Sequence, residues 1–414
     1  MFGGGLTVTV NVIGLGYIGL PTALMLAAHG TRVVGTDLNS KLVKKLKEGR
    51  LDFEEDGLAE LFSKAVNNHI EFSTDYQKAD LYIIAVPTPY SKRNKKVDAA
   101  YVVKAVESVI DICNKGSIIV VESTISPGTI DRHIRPMLAR KGLQCGIDIH
   151  LAHAPERIIP GNMICELENN NRTIGADEKY IGDKVKALYL TFCKGQIVVT
   201  DIKTAEMTKV VENTYRDINI AFANELAKIC RMDDMDVYEI IKIANMHPRV
   251  NILAPGPGVG GHCISVDPWF LVGDYPGLAN IILAARKIND SMPEFVLERI
   301  SEIMEKEGIG ELSKVGLYGL TYKENVNDVR ESPTLQLLEC MRKHLARGIK
   351  VYDPYVQEDI VENQYHDFND FMNHVDFIVI MVGHEQICSH LDKLKEKVIL
   401  DTRNVCNVQG VYRI

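Results

Sequence analysis

The first 190 or so residues alternate short apolar runs with stretches of helical periodicity. β-Branched and aliphatic runs bounded by turn residues predict buried strands. The segments between them space apolar residues three and four positions apart, which predicts helices such as Ile18–His29 and Ser40–Glu48. This alternation predicts a parallel sheet with crossover helices, a doubly wound α/β domain. The predicted strands are Thr9–Ile13, Arg32–Thr36, Leu81–Val86, Ser117–Glu122 and Asp148–Ala152.

The middle of the chain has a different pattern. From Lys203 to about Cys230 the chain lacks Pro and Gly, which predicts a helix of unusual length, and Ala279–Lys306 predicts more helix. Between them, Gly and Pro dominate Pro255–His262 (PGPGVGGH) and exclude regular structure there. From Leu312 the βαβ pattern returns, with predicted elements Lys314–Tyr318, Thr334–Arg347 (helix), Lys350–Tyr352, Phe377–Val382 and Lys397–Leu400.

These elements predict the architecture of the chain. A length of 414 residues exceeds what one hydrophobic core normally covers, so several domains are expected. We predict an α/β protein with two Rossmann-like doubly wound domains, residues 1–200 and 311–414. A helical central domain with a long connecting helix, residues 201–310, joins them.

Composition narrows the class of protein. The net charge is -8, whereas nucleic-acid binding needs a basic surface. No apolar run approaches the roughly 20 residues of a membrane helix. We therefore predict neither a nucleic-acid partner nor a membrane span. Nine scattered cysteines without a CxxC pair argue against a zinc site or a disulfide framework and predict a reducing, cytoplasmic location.

A glycine-rich turn supplies the cofactor prediction. Val12–Leu20 reads VIGLGYIGL, and its glycines fit GxGxxG after a strand and before a helix. The next strand ends at Asp37, where a carboxylate accepts hydrogen bonds from a ribose diol and repels a 2′-phosphate, so NAD is favoured over NADP. A glycine turn without a dinucleotide is the alternative. The predicted NAD contacts are Gly14, Gly16, Tyr17, Ile18, Gly19 and Asp37.

Two later strand ends also carry polar groups. AVPTP contains Thr88, and VESTISPG contains Thr124. Ligands of open α/β sheets bind beyond the carboxyl ends of the strands, so both hydroxyls are candidates for the nicotinamide ribose. The alternative is that each threonine caps the next helix.

The best candidate nucleophile is Cys263, within GGHCISVDP. The preceding glycines leave the backbone open, and Asp267 follows four residues later. A reactive thiol needs access and a neighbour that sets its charge. A buried structural cysteine is the alternative.

The long helix carries a polar stripe. Glu206, Lys209, Asn213 and Arg216 are spaced three, four and three apart, which places them on one face. The other faces are rich in apolar residues, so this stripe either faces water or lines a site. The helix alone leaves both interpretations open.

Two further segments contribute polar groups. HAPERIIPG follows a strand end, so Glu156 and Arg157 are expected in the same cleft as the threonines. HPRVN, with His247 and Arg249, immediately precedes the glycine-rich loop. Surface turns are the alternative for both segments.

Ten motifs in this order resemble one known family. They are GLGYIGLP, AVPTP, VESTISPGT, APERIIPG, KVVENTYRD, HPRVN, PGPGVGGHC, VDPWF, GLTYK and DVRESP. The chain resembles the UDP-glucose and UDP-N-acetylmannosamine 6-dehydrogenase family from end to end. NTYRD and HPRVN look more like the UDP-N-acetylmannosamine branch.

The resemblance implies a four-electron oxidation at C6 of a UDP-sugar. NAD accepts hydride twice, and the Cys263 thiolate carries the sugar as a thiohemiacetal and then as a thioester. Lys209 stabilises the developing oxyanion, with Asn213 beside it. Asp267 and Thr124 position water and support acid–base steps.

The resemblance also implies which residues bind the ligands. Glu156 assists hydrolysis of the thioester, and Arg249 crosses into a neighbouring subunit's site, which implies a homodimer. Residues 1–200 bind NAD, with Thr88, Thr124 and Arg330 as further contacts, and residues 311–414 bind UDP. The implied substrate contacts are Arg157, Lys209, Asn213, Arg216, His247, Arg249, Gly260, Tyr322, Lys323 and Arg403.

The resemblance leaves competing functions open. Arg216 and His247 are expected to recognise an N-acetylhexosamine, which favours UDP-N-acetyl-D-mannosamine. The same chemistry on UDP-glucose or UDP-N-acetylglucosamine is the first alternative. A non-catalytic nucleotide-binding protein is the second. A dehydrogenase that stops after one hydride transfer is the third, and Cys263 argues against it because a single transfer needs no covalent thiol.

Overall fold

The computed structural model describes residues 8–68, 70–91, 96–261, 263–344 and 348–414. The chain divides into two compact units, Met1–Val211 and Glu212–Ile414, which we call the N-terminal and C-terminal units. Each unit contains a sheet and its own hydrophobic core. The predicted division into three domains stays a prediction.

Among the described residues, ten strands and eight α-helices begin in the N-terminal unit. The strands are β1 (Thr9–Ile13), β2 (Arg32–Thr36), β3 (Ile70–Ser73), β4 (Leu81–Ile84), β5 (Tyr90–Ser91), β6 (Lys96–Val97), β7 (Ser117–Val121), β8 (Ile149–His153), β9 (Arg172–Ala176) and β10 (Ile197–Thr200). The helices are α1 (Gly19–Ala28), α2 (Ser40–Lys47), α3 (Leu58–Asn68), α4 (Ala100–Ile110), α5 (Arg135–Arg140), α6 (Met163–Asn169), α7 (Lys179–Tyr189) and α8 (Ile202–Met232).

Eight of these strands form one sheet in the order β10-β9-β8-β7-β4-β1-β2-β3. After β1 the chain adds β2 and β3 on one side of that strand, and it then returns to add β4 on the other side of β1. The strand order therefore reverses between β1 and β4, the point at which open α/β sheets bind ligands. Apolar side chains on β1, such as Val10 and Val12, are fully buried beneath α1 and its neighbours.

One strand pair in this sheet is antiparallel. In the β8–β9 pair, Ala152 lies opposite Ala176 and His153 lies opposite Gly175. The connection between them contains only the seven-residue α6, so the chain re-enters the sheet at the edge where β8 ended. As a result, the start of β9 lies beside the loop that follows β8.

The C-terminal unit contains the remaining elements. Its helices are α9 (Val237–Ala244), α10 (Asp267–Asp274), α11 (Asn280–Asp290), α12 (Met292–Glu307), α13 (Pro333–Lys343), α14 (Phe368–Asn373) and α15 (Glu385–Ser389). Its strands are β11 (Val315–Tyr318), β12 (Lys350–Tyr352), β13 (Gln364–Tyr365), β14 (Phe377–Ile380), β15 (Val398–Asp401) and β16 (Tyr412–Arg413). They form a parallel sheet in the order β13-β12-β11-β14-β15-β16.

The predicted α/β fold with two doubly wound sheets and a helical centre is confirmed. The long helix is also confirmed, since α8 has 31 residues. Among the described residues, seven strands were missed: β3, β9 and β10, and the two-residue strands β5, β6, β13 and β16. The helical region predicted at Ala279–Lys306 is confirmed and consists of two helices, because the chain turns at Ser291 and Pro293 lies in the first turn of α12. The predicted helix end at Arg347 and the loop end at His262 lie outside the described residues.

Candidate active site

The glycine turn after β1 has the shape that a dinucleotide needs. Gly14 has a φ of +91°, and a Cβ there would lie 2.6 Å from the Ala85 carbonyl oxygen. A Cβ on Gly19 would lie 1.9 Å from the Gly14 carbonyl oxygen, so α1 packs directly on the turn. By contrast, a Cβ on Gly16 would meet nothing within 4 Å. Gly16 therefore borders open space, where a pyrophosphate can approach the backbone at the start of α1.

Asp37, at the end of β2, faces this turn. Its Oδ2 accepts a 2.8 Å hydrogen bond from the Leu15 backbone N–H, and its Oδ1 accepts one of 2.8 Å from the Asn39 N–H. The carboxylate is thus held beside the glycines at the edge of the sheet. This position fits a residue that receives the hydroxyls of an adenosine ribose.

The two predicted threonines lie in loops after β4 and β7. Thr88 is buried and Thr124 is half-buried. Neither is the N-cap of a helix, because the N-cap residues of the following helical segments are Ala99 and Thr129. The Ser123 hydroxyl lies 2.6 Å from the Val86 carbonyl oxygen and so ties the two loops together.

Glu206, the first member of the polar stripe on α8, faces the protein. Its carboxylate accepts hydrogen bonds from the Gly128 N–H at 2.5 Å and the Ile130 N–H at 3.1 Å. Burial raises the pKa of this carboxyl, and the two backbone hydrogen bonds oppose that rise. Glu206 therefore anchors the loop that follows β7, which is the loop that contains Thr124.

Lys209, one turn further along α8, is also buried. Its Nζ donates to the backbone carbonyl oxygen of Glu156. The Glu156 side chain turns inward, where its Oε1 accepts a 2.6 Å hydrogen bond from the Arg157 N–H. The Arg157 guanidinium donates to the Asn171 carbonyl oxygen at 2.8 Å and to the Thr173 hydroxyl at 3.0 Å. The structure thus brings the Lys209 ammonium to the backbone of Glu156.

Asn213 and Asp267 form a second buried pair, in the C-terminal unit. Asn213 Nδ2 donates a 2.6 Å hydrogen bond to Asp267 Oδ2, and Asp267 is 2% exposed. Cys263 lies just before α10, where its carbonyl oxygen accepts from the Asp267 N–H at 2.8 Å. Cys263 therefore lies four residues before Asp267, the first residue of α10.

The glycine-rich loop before Cys263 packs on another segment of the same unit. A Cβ on Gly260 would lie 2.7 Å from the Glu331 carbonyl oxygen and from Tyr322 Cβ. One on Gly261, whose φ is +86°, would lie 2.8 Å from the Tyr322 ring. The Gly261 N–H also donates to the Arg330 carbonyl oxygen at 2.9 Å. Only glycines permit this close approach between the loop and residues 322–331.

The predicted nucleotide contacts lie on that segment and near it. Burial raises the pKa of the Tyr322 hydroxyl to about 12. Lys323 is half-buried, and its carbonyl oxygen accepts a 2.8 Å hydrogen bond from the Thr321 hydroxyl. Arg330 forms a 2.6 Å ion pair with Asp328. Arg403 approaches the loop from β15, since a Cβ on Gly256 would lie 2.9 Å from its Nη1.

The remaining predicted substrate residues lie on the surface of the C-terminal unit. Arg216, His247 and Arg249 are all exposed. A local hydrogen bond of 3.3 Å joins two of them, from the Arg249 N–H to His247 Nδ1. Their exposure leaves them free to meet a ligand or another chain.

Three asparagines that sequence reasoning missed hold the chain just before the glycine-rich loop and at its start. Asn219 on α8 bonds the Leu253 N–H and the Asn251 carbonyl oxygen, and Asn245 bonds both backbone groups of Ile252. The fully buried Asn224 accepts from the Gly256 N–H at 2.9 Å. Asparagine is a poor helix former, and two of them at a five-residue spacing on α8 were the available signal.

Within 8–68, 70–91, 96–261, 263–344 and 348–414, no three His, Cys, Asp or Glu side chains are grouped to hold a metal ion. Among the helices of these same ranges, none has the length and apolar character to cross a bilayer.

Family models of three domains match the chain in order. The NAD binding domain of the UDP-glucose/GDP-mannose dehydrogenase family matches residues 8–193. The central domain of that family matches residues 203–291. Its UDP binding domain matches residues 316–408.

Similar proteins span nearly the whole chain. The UDP-N-acetyl-D-mannosamine dehydrogenase of Methanocaldococcus jannaschii is 44% identical, over 96% of this chain and 92% of its own. The NDP-N-acetyl-D-galactosaminuronic acid dehydrogenase of Ralstonia nicotianae is 37% identical, over 97% of both chains. The solved structure of the UDP-N-acetyl-mannosamine dehydrogenase Cap5O from Staphylococcus aureus has a TM-score of 0.88 and 41% identity, over 98% of each chain.

Proposed function

Because the chain belongs to the UDP-glucose/GDP-mannose dehydrogenase family, we propose that it oxidises C6 of UDP-N-acetyl-D-mannosamine to a carboxylate, with NAD as acceptor. The observation that carries the choice of sugar is the end-to-end similarity to UDP-N-acetyl-D-mannosamine dehydrogenases. The product is UDP-N-acetyl-D-mannosaminuronate. Per sugar, one water is consumed, two NAD become two NADH, and three protons are released with the carboxylate.

NAD is the cofactor of this family's N-terminal domain, and the glycine turn fits it. Open space at Gly16 and the carboxylate of Asp37 would receive the pyrophosphate and the adenosine ribose. When bound, NAD supplies the hydride acceptor. Thr88, Thr124 and Arg330 are proposed as further contacts.

The protein's own groups supply the covalent steps. Cys263 is the proposed nucleophile: its thiolate adds to the C6 aldehyde, and loss of a second hydride leaves a thioester. Water then cleaves the carbon–sulfur bond, and the thiol is released. Lys209 and Asn213 stabilise the oxyanion, a contribution of ~10²–10³ in rate for one such donor. Asp267 and Thr124 handle water and protons, and Glu156 is the remaining candidate for the hydrolytic step.

The UDP portion is assigned to residues 311–414, after a central domain of residues 201–310 and an NAD domain of residues 1–200. The match to the family's UDP binding domain and the half-buried Lys323 support this assignment. The proposed substrate contacts are Arg157, Lys209, Asn213, Arg216, His247, Arg249, Gly260, Tyr322, Lys323 and Arg403.

A homodimer is proposed as the working assembly. Tyr215, Phe222 and Ile229 recur every seven residues on α8, so they share one face, and they are 61%, 49% and 51% exposed. An apolar stripe of this kind is typical of a helix that packs on a partner. Exposed Arg249 is available to reach the partner's substrate.

The proposed location is the cytoplasm. All nine cysteines are free thiols, which fits a reducing compartment. The proposed partners are the UDP-sugar, NAD and a second copy of the chain.

NADH yield per mole of limiting sugar tests the function. Two NADH and a uronate from UDP-N-acetyl-D-mannosamine are expected. Two NADH from UDP-glucose or UDP-N-acetylglucosamine, with none from UDP-N-acetyl-D-mannosamine, would overturn the choice of sugar. A yield of one would overturn the double oxidation, and no NADH with any of the three would favour a binding protein.

A further inference from the structure

The glycine turn after β1 has a counterpart after β11 in the C-terminal unit. Gly14 follows β1 and Gly319 follows β11, and each N–H donates a 2.8 Å hydrogen bond to the last carbonyl oxygen of the neighbouring strand, β2 or β12. Both glycines have a positive φ, of +91° and +102°. An aspartate follows each of these neighbouring strands, Asp37 after β2 and Asp353 after β12. The two aspartates therefore hold equivalent positions in the two sheets.

The two carboxylates bind their own turns alike but differ in exposure. Asp353 Oδ1 accepts a 2.8 Å hydrogen bond from the Tyr355 N–H, as Asp37 Oδ1 does from the N–H two residues later. Asp353 Oδ2 accepts from the N–H groups of Leu320 and Thr321 at 2.5 and 3.0 Å. Asp37 is half-buried, whereas the Asp353 side chain is 0% exposed. Because a fully covered carboxylate cannot receive the hydroxyls of a ribose, Asp353 must serve another purpose.

His384, which precedes α15, covers the Asp353 carboxylate. Its Nε2 lies 3.2 Å from Asp353 Oδ2, and its own side chain is 0% exposed. Its Nδ1 accepts a 2.9 Å hydrogen bond from the Asn325 N–H, so the proton of the neutral ring is on Nε2 and is donated to Asp353. Burial acts to raise the pKa of the Asp353 carboxyl, but the hydrogen bonds from His384 and the backbone lower it below its ordinary value. Asp353 is therefore an ionised acceptor.

The hydrogen bonds of this pair converge on residues 320–325, the segment that contains Lys323. Asp353 holds the first two N–H groups of the segment, and His384 holds the last one. The Thr321 hydroxyl, 3.3 Å from His384 Nε2, donates to the Lys323 carbonyl oxygen at 2.8 Å. The backbone on both sides of Lys323 is thus fixed by the buried pair.

A second cation proposed for the substrate meets the same segment. Arg403 Nη2 lies 3.8 Å from Glu324 Oε2, next to Lys323 in the chain. A lysine on a fixed backbone loses less conformational freedom when it binds a phosphate than a lysine on a mobile loop does. A rigid segment 320–325 therefore favours binding of a diphosphate.

We propose that Asp353 and His384 are positioning residues that hold segment 320–325 so that Lys323 meets the diphosphate of the UDP-sugar. This inference rests on the proposed function, in which Lys323 is a substrate contact. The pair acts through the backbone, because both of its side chains are fully buried. The two sheets thus use equivalent aspartates differently, Asp37 to receive a ribose and Asp353 to fix a loop.

Calorimetric titration with UDP tests the proposal. His384→Phe keeps an aromatic ring but loses both hydrogen bonds, and we expect UDP affinity to fall about tenfold or more. NAD affinity should stay close to wild type, since the NAD turn is in the other unit. His384→Asn, whose Oδ1 can still accept from the Asn325 N–H, should recover part of the loss. His390→Phe, at a half-buried histidine whose Nδ1 lies 2.8 Å from a backbone carbonyl oxygen, is the matched control.

A double-mutant cycle with Lys323→Met separates positioning from a general loss of structure. If the pair acts through Lys323, His384→Phe should weaken UDP binding much less in the Lys323→Met background than in wild type. Thermal unfolding of every variant shows whether it is folded. A loss by the same factor in both backgrounds would overturn the proposal, as would wild-type UDP affinity in folded His384→Phe.

Two further results complete the test. If His384→Phe does not fold, His384→Asn takes its place in the cycle, and wild-type UDP affinity in that variant would overturn the role of the pair because its bond to Asp353 is broken. Lys323→Met is measured first against wild type. Equal UDP affinity of these two proteins would remove Lys323 from the proposed substrate contacts and the proposal with it, whereas a weakened Lys323→Met beside a normal His384→Phe would overturn the proposal alone.

Discussion

Asn213 Nδ2 lies 2.6 Å from Asp267 Oδ2, although 54 positions of sequence separate the two residues. The bond joins α8 to the first residue of α10, four residues after Cys263. Asp267 is 2% exposed, so its carboxylate accepts this hydrogen bond in a buried setting. The pair therefore connects the proposed oxyanion site to the proposed nucleophile.

The first prediction separates the charge of Asp267 from its shape. Asp267→Asn keeps an acceptor for Asn213 and removes the charge, whereas Asp267→Leu removes both. If Asp267 takes part in proton transfer, both variants should lose kcat by about a hundredfold or more. Steady-state kinetics with thermal unfolding measure this. A near-normal kcat in Asp267→Asn would mean that Asp267 only positions Asn213 and takes no part in proton transfer.

The second prediction concerns the thiol. Cys263→Ala should release no uronate, because no thioester can form, while affinity for the UDP-sugar should persist because the nucleotide contacts lie elsewhere. Mass spectrometry of the product and calorimetric titration measure the two properties. Cys165→Ala, at an exposed cysteine, is the matched control. Full uronate production by Cys263→Ala would refute the covalent route.

The third prediction uses the difference between two glycines of one turn. Gly16→Ala adds a methyl group to open space, so thermal stability should stay within about 0.5 kcal/mol of wild type while NAD affinity falls. Gly14→Ala should instead destabilise the fold, because the new Cβ would lie 2.6 Å from the Ala85 carbonyl oxygen at a positive φ. Unchanged NAD affinity in Gly16→Ala would place the pyrophosphate elsewhere.

The fourth prediction concerns pH and stability. Burial raises the pKa of Glu122 from its ordinary 4.5 to about 8, so between these values the native state keeps a proton that the unfolded chain loses. Stability from this group is therefore fully present below the lower value and falls as pH rises toward 8. Glu122→Gln does not titrate.

Chemical unfolding of wild type and Glu122→Gln at several pH values tests this. The variant should gain stability relative to wild type as pH rises from 5 to 8, by up to about 1.4 kcal/mol per pH unit. A constant difference over that range would mean that Glu122 is ionised throughout. Glu71→Gln, at an exposed residue of β3, controls for the substitution itself.

Local sequence patterns predicted much of the fold. The turn from Gly14 to Gly19 needs a positive φ at Gly14 and close packing at Gly14 and Gly19, which only glycine satisfies. The glycine spacing therefore predicted the turn. The long helix was readable because 28 residues without Pro or Gly leave no point of interruption. The missed strands β9 and β10 are short and do not alternate in the expected way, since the charged Arg172 of β9 is buried and the exposed position of β10 is the apolar Val198.

The sequence did not predict the hydrogen-bond partners of the site residues. Spacing placed Glu206 and Lys209 on one face of a helix, but the sequence did not say that the first holds the Gly128 N–H and the second a backbone carbonyl. Both partners come from distant loops that the sheet brings to the helix. Helical periodicity reports which side chains share a face, and only packing reports what that face meets.

Sequence alone determined the strand–turn–helix cofactor motif, the candidate thiol and the family resemblance, because each depends on residues close together in the chain. Tertiary structure decided that Arg172 faces Glu156 and that Asn213 faces Asp267. The first pairing follows from the reversal of β9 after a short connection, and the second from the packing of α10 near α8. Such contacts depend on the path of the chain between distant residues, and no local pattern records that path.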